Sequence, residues 1–151
     1  MRRKIFAGNW KMHKDKLEAS ELAAGLKASL GNYNKVDIVL CPSFTNLEGV
    51  NRVISDSVIK LGAQNMHFEP KGAYTGEISA DMLRSVGCRY VILGHSERRL
   101  YFGETNELVN KKLKVALQNY LIPIICVGEK LEEREQGKAF AVIETQLSEG
   151  L

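Results

Sequence analysis

Five short apolar runs recur along the chain: Lys4-Ile-Phe-Ala7, Asp37-Ile-Val-Leu-Cys41, Val58-Ile-Lys-Leu61, Tyr90-Val-Ile-Leu93 and Ile122-Pro-Ile-Ile-Cys-Val127. They are rich in Val and Ile, and Gly or Pro residues bound them, so they read as buried strands. The Tyr90 run has no polar alternation, which requires both of its faces to be covered. Centred on Ile5, Ile38, Ile59, Val91 and Ile124, the runs are 33, 21, 32 and 33 residues apart.

The intervals carry helical patterns. Asp15 with Glu18 has the spacing of a capping box, followed by Ala19, Leu22, Ala23, Leu26 and Leu30 on one face and Gly31 as a stop. Thr45 with Glu48 repeats that spacing ahead of a second helix, and Ser79 opens a third that Gly87 closes. A fourth spans 104–119 and directs Leu108, Val109, Leu113, Ala116 and Leu117 inward. A fifth helical region follows Gly128, is interrupted at Gly137 and ends near Gly150.

Strict alternation of strand and helix predicts an α/β fold with a parallel sheet and right-handed crossovers. An open doubly wound sheet and a (β/α)-barrel both satisfy this. The first strand–helix turn has Gly8-Asn-Trp-Lys11 where a dinucleotide fold would carry Gly-x-Gly-x-x-Gly, and no Walker sequence occurs. A complete eight-unit barrel needs roughly 250 residues, so five units need about 156. The 151 residues therefore predict a single domain over 1–151, an incomplete (β/α)8 barrel with about five units.

Composition narrows the partners. Hydrophobic residues make up 44% and charged residues 26%, as in an ordinary globular domain, and the net charge is only +3. There is no basic stripe with interleaved aromatics, which argues against nucleic acid. No segment has the length of a membrane span, and the basic start is followed by too few apolar residues for a signal peptide. Cys41, Cys88 and Cys126 lack the spacing of a metal site, and free thiols in a reducing cytoplasm fit them better than disulfides.

In parallel strand–helix proteins the active site forms at the C-terminal ends of the strands. The residues following the runs are Asn9 and Lys11, then Ser43, then Gln64 and Asn65, then His95 and Glu97, then Glu129. Ser43 and Glu129 read best as loop or cap residues. Lys11 and His95 come from the first and fourth strands onto one rim. There a cation, an imidazole and a primary amide together could stabilise an oxyanion.

The stretches Ala7-Gly-Asn-Trp-Lys-Met12, Cys41-Pro42, Gly62-Ala-Gln-Asn65, Gly72-Ala-Tyr-Thr-Gly-Glu77, Tyr90-Val-Ile-Leu-Gly-His-Ser-Glu-Arg-Arg99 and Cys126-Val-Gly-Glu129 occur in order along the whole chain. Together they resemble the triosephosphate isomerase family. The resemblance implies interconversion of dihydroxyacetone phosphate and D-glyceraldehyde 3-phosphate in glycolysis and gluconeogenesis, with no metal and no cofactor. It implies that Asn9 and Lys11 contact the triose phosphate. His95 would be the electrophile that polarises the carbonyl, and Glu97 would hold Lys11 by an ion pair. It further implies a neutral His95 imidazole beside the short helix that follows it, a point that rests on the resemblance alone.

Residues 65–78 form a long segment without helix or strand period, unusual in a compact domain. By the resemblance this loop docks into a second subunit of a homodimer, setting Thr75 beside the partner's rim and Glu77 near its Arg98. The family's general base is a glutamate after the sixth strand, and its phosphate loops follow the seventh and eighth. The sequence therefore predicts that these 151 residues supply part of an active site and are inactive alone, with a C-terminal barrel segment as the missing partner. A non-catalytic half-barrel acting as a complementation or interaction module is the alternative, and another sugar-phosphate barrel enzyme is a third reading.

Overall fold

The computed structural model of the chain describes residues 3–151. Five parallel strands, β1 (Ile5–Asn9), β2 (Asp37–Cys41), β3 (Lys60–Ala63), β4 (Cys88–Leu93) and β5 (Ile122–Ile125), form one sheet in the order β1-β2-β3-β4-β5. A doubly wound sheet reverses its strand order at a switch point. Here every strand pairs with its neighbour in sequence, so the sheet is a curled half-barrel.

Helices α1 (Lys16–Leu30), α2 (Leu47–Ile54), α3 (Ala80–Ser85), α4 (Ser96–Tyr101), α5 (Asn106–Gln118), α6 (Leu131–Glu135) and α7 (Ala139–Gly150) occupy the crossovers. The main core lies between strands and helices: Ile38, Leu40, Leu61, Val91 and Leu93 from the sheet meet Ala23, Val50, Ile54, Leu83 and Val109. The opposite face carries a smaller cluster of Val39, Cys41, Tyr90 and Ile92. Burial on both faces explains why the Tyr90 run shows no alternation. At the lower end of the smaller cluster Tyr90 donates to Asp37 at 3.4 Å, and Arg3 pairs with Asp37 at 2.8 Å.

The Asp15–Glu18 capping box forms with both of its reciprocal bonds, and the Ser79 side chain accepts from Met82 N–H at the start of α3. Gly31 ends α1 in a right-handed conformation; its reason is space, since a Cβ there would lie 2.5 Å from the Lys27 carbonyl oxygen.

Several sequence expectations require correction. The third run begins pairing only at Lys60, because Val58 N–H is committed to the Gly31 carbonyl. The Thr45–Glu48 capping box does not form. Residues Phe44–Asn46 make a 3-10 turn, Thr45 pairs with the Ser43 hydroxyl, and Glu48 pairs with Arg52. Asn46 instead reaches the Lys14 carbonyl at 2.8 Å, a tertiary bond that overrides the local cap. Leu117 is exposed and Leu22 partly so, while Lys112 is buried on the α5 face that holds Val109 and Ala116. The first run is not buried either: Ile5 and Phe6 are 46% and 65% exposed at the sheet edge.

Candidate active site

The C-terminal ends of β1, β3 and β4 converge on a cleft of about 180 Å³ lined by Asn9, Lys11, Gln64, His95 and Glu97. A larger groove of about 1200 Å³ lies between α4–α5 and α6–α7. Only the smaller cleft gathers a cation, an imidazole and amides from separate strands, and so it is the candidate site.

Lys11 sits in the left-handed region with φ of 53°, a conformation costing a side-chain-bearing residue about 1–3 kcal/mol. Its surroundings hold it there. The Asn9 side-chain oxygen accepts from Lys11 N–H at 3.0 Å, and Gln64 Nε2 donates to the Lys11 carbonyl at 2.9 Å. The same Gln64 nitrogen donates to the Cys41 carbonyl at 2.9 Å, and Trp10 N–H reaches that oxygen at 3.0 Å. The ends of β1, β2 and β3 are thus tied together around one strained lysine.

The strain aims the ammonium across the rim. Lys11 Nζ meets Glu97 Oε1 at 2.7 Å, and this hydrogen bond holds the Glu97 carboxyl below the usual carboxylate range. Glu97 therefore stays anionic at neutral pH, and Lys11, half exposed, still faces the cleft.

His95 follows Gly94, whose φ of 70° turns the chain out of β4. A side chain there would be strained by the backbone and crowded as well: a Cβ would lie 3.0 Å from Arg99 Nη2, 3.1 Å from Val109 and 3.2 Å from the Cys126 carbonyl. His95 caps the N-terminus of α4, with Nδ1 accepting from Glu97 N–H at 3.2 Å. A nitrogen that accepts carries no proton, so in the neutral ring the proton resides on Nε2. The Glu97 carboxylate also lies 3.5 Å from Nδ1, which with an accepting Nδ1 is proximity and not an ion pair.

A buried network lies behind the cleft. Lys112 Nζ donates to Glu104 at 2.5 Å and to Asn65 at 2.8 Å, and Arg98 Nε donates to the second Glu104 oxygen at 3.1 Å. It joins α5 and the segment after β3 to α4, which carries Glu97. Among the described residues no cluster of His, Cys, Asp and Glu has the arrangement to hold a metal.

The structure thus brings Asn9, Lys11, His95 and Glu97 together, with Arg98 at the margin of the same cleft. Thr75 and Glu77 lie apart from them on the 65–78 loop, exposed, with Glu77 3.5 Å from His67 Nδ1. Ser43 accepts from Asn46, and Glu129 is held by Arg134 at 2.6 Å, so both serve local structure. The positioning work of Gln64 and the burial of Lys112 are additions to the sequence reading. Gln64 is marked by its place directly after β3. Lys112 is marked by lying one turn from Val109 and Ala116.

The sequence model of the triosephosphate isomerase family matches residues 4–151. Triosephosphate isomerase of Dictyoglomus turgidum is 55% identical over all 151 residues, which cover 61% of that protein. Its counterpart from Carboxydothermus hydrogenoformans is 54% identical, with 100% of this chain and 60% of the relative covered. The crystal structure of triosephosphate isomerase from Bartonella henselae superposes with a TM-score of 0.93 at 39% identity, covering 99% of this chain and 62% of that one. The chain spans about 61% of the length of the first of these relatives. With the motifs, the strand order and the match over residues 4–151 in agreement, the chain belongs to the triosephosphate isomerase family.

Proposed function

We propose that this chain forms the electrophilic and substrate-binding part of a triosephosphate isomerase, interconverting dihydroxyacetone phosphate and D-glyceraldehyde 3-phosphate in the cytoplasm. The observation that carries the reading is the Lys11–Glu97 pair at 2.7 Å on the rim that also bears His95. The Lys11 ammonium, kept aimed by Glu97, balances the charge of the phosphate and of the enediolate. His95, with its proton on Nε2, donates to the carbonyl oxygen as negative charge develops there. Asn9 contacts substrate and fixes the Lys11 backbone.

Removing the proton beside the carbonyl needs a base within hydrogen-bond reach. Glu97 is the only carboxylate lining the cleft among the described residues, and it is engaged by Lys11. We assign the base to a glutamate in the additional length that the relatives possess. The cleft volume of about 180 Å³ supports this. Whole ligand pockets occupy roughly 300–1,000 Å³, so further chain is needed to enclose the substrate. We infer a homodimer in which the 65–78 loop enters a second subunit, with Thr75, Glu77 and Arg98 at the contact. Residues 1–151 are one incomplete barrel domain in this reading.

The test compares the 151-residue polypeptide with the same chain complemented by the C-terminal remainder of the Dictyoglomus turgidum relative. Turnover is expected only on complementation, and His95→Gln and Lys11→Met should each abolish most of it. Family-level turnover by the mass-verified 151-residue polypeptide would refute the base assignment. Unchanged kcat/KM in both variants would refute the roles of His95 and Lys11.

A further inference from the structure

Behind His95 a run of polar contacts reaches from the rim into the helix layer. Arg99 Nε donates to the Gly94 carbonyl at 2.8 Å, and Arg99 Nη1 donates to Asn106 Oδ1 at 2.6 Å. Asn106 Nδ2 in turn donates to Glu149 Oε2 at 2.8 Å. The Gly94 carbonyl and the His95 nitrogen belong to one peptide plane. We propose that Arg99 is a positioning residue for His95, and that Asn106 of α5 and Glu149 of α7 hold Arg99 in that role. The catalytic consequence rests on the isomerase reading; the geometric claim does not.

Gly94 lies in the left-handed region just beyond the last paired residue of β4, where the ladder no longer fixes the chain. Cys126 N–H bonds to Leu93, one residue earlier. The next carbonyl, that of Gly94, is buried and is met by Arg99. A rotation of that plane would carry the imidazole with it, because His95 is the first residue after the turn. The guanidinium is a rigid planar fork, so fixing Nη1 on Asn106 also fixes Nε on Gly94. The Asn106 amide has one orientation compatible with both neighbours, its oxygen toward Arg99 and its nitrogen toward Glu149.

A further observation favours positioning over simple stabilisation. Gln146, one turn before Glu149 on α7, clamps the other adjacent rim segment. It accepts from Gly128 N–H at 2.8 Å and donates to the Gly128 carbonyl at 3.0 Å. One face of α7 therefore braces the chain beyond β4 and beyond β5 together.

The experiment uses the complemented chain and removes the oxygen that holds Arg99. Asn106→Leu takes away the acceptor for Arg99 Nη1, whereas N106D/E149Q keeps an oxygen facing Arg99 and reverses the second bond, so that the introduced amide donates to the introduced carboxylate. We expect Asn106→Leu to lower kcat about tenfold with KM nearly unchanged, a smaller loss than the roughly 10²-fold of a full 1 Å misplacement. N106D/E149Q should retain most of kcat, and Arg99→Lys should fall at least as far as Asn106→Leu. A purely structural tie would lower Tm while leaving kcat per folded molecule unchanged, and that result overturns the proposal. Glu149→Leu, which frees the Asn106 amide, should lie between Asn106→Leu and the unsubstituted chain, and full kcat in that variant overturns the part assigned to Glu149. The ¹⁵N resonances of the His95 ring in Arg99→Lys provide a readout independent of turnover. A shift is expected at Nδ1, the atom that accepts from Glu97 N–H, and unchanged resonances overturn the proposal. If the unsubstituted complemented chain shows no turnover, the isomerase reading fails, and the ring resonances still decide whether Arg99 positions His95.

Discussion

Lys11 Nζ and Glu97 Oε1, 86 positions apart in sequence, meet at 2.7 Å across the rim between β1 and β4. Both side chains remain substantially exposed, at 51% and 41%, which decides what the pair does. An exposed pair adds little to stability. Its effect is to fix the direction of an ammonium whose backbone is already held in a strained conformation by Asn9 and Gln64.

Glu97→Gln keeps the shape and removes the charge. In the complemented chain it should lower kcat/KM by about tenfold or more, by the arithmetic of misplaced charge, while the thermal midpoint barely moves. Steady-state kinetics beside a thermal melt of the same sample tests this. An unaltered kcat/KM would show that Lys11 needs no partner.

Lys112→Met should act in the opposite sense, on stability first. Lys112, Glu104 and Asn65 are all buried, and removing the ammonium leaves the Glu104 carboxylate with Arg98 as its remaining partner. Breaking a buried pair on one side typically costs about 3–5 kcal/mol. Urea unfolding of the complemented chain measures the cost. A loss below about 1 kcal/mol, the range of exposed pairs, would mean that Arg98 alone satisfies Glu104.

These two cases show where the sequence was legible. The strand–helix alternation and the rim positions of Lys11 and His95 follow from local pattern, because an apolar run and the polar residue that ends it are adjacent in the chain. The Asp15–Glu18 box forms for the same reason: both of its bonds are local. Thr45–Glu48 has the same spacing and fails because Asn46 is drawn to Lys14, 32 residues away. The burial of Lys112 depends likewise on Glu104 and Asn65, the latter 47 positions distant, so an amphipathic pattern alone reads it as surface. Lys11's left-handed backbone depends on Gln64, 53 residues on, and no pattern around Lys11 announces it.

Acid should weaken the fold through three carboxylates, by small increments at the exposed Glu97 and Asp56 pairs. Glu97 is held low by the Lys11 hydrogen bond, Glu129 by a bond from its own backbone N–H and then by Arg134, and Asp56 by Lys27. Each folded-state pKa lies below its unfolded value, so each contribution is complete above the ordinary carboxylate range. Each is then lost as pH falls through the lowered folded value. Stability should be flat near neutrality and decline from roughly pH 5 downward, with the share from Glu97 and Asp56 reduced at high salt because those two side chains meet solvent, while the Glu129 side chain is covered. Urea midpoints between pH 7 and pH 3 test this, and E97Q/E129Q/D56N should flatten the curve. Midpoints that stay constant down to pH 3 would contradict it.

The last prediction concerns the 151-residue polypeptide on its own, and it follows from the two sheet edges. β1 and β5 each pair on one side only, so each presents a row of backbone N–H and C=O groups to its surroundings. The side chains there are apolar: Ile5 and Phe6 on β1 are 46% and 65% exposed, and Ile122 on β5 is 48% exposed. From the register, Phe6 lies on the face of Ile38, against which helices pack, whereas Ile5 lies on the face of Asp37 and Val39, inside the curl. Both faces of the edge strand are therefore uncovered at once, which charged or twisted edge strands in stable sheets avoid. The polypeptide alone should accordingly self-associate or lose its fixed tertiary packing. With its C-terminal complement it should give a discrete dimer through the 65–78 loop. Sedimentation equilibrium together with near-ultraviolet circular dichroism on the same samples separates these states. A single monomeric species with rigid aromatic signals over a wide concentration range would mean that the packing of α1 to α7 is enough to stabilise the five-stranded half-barrel.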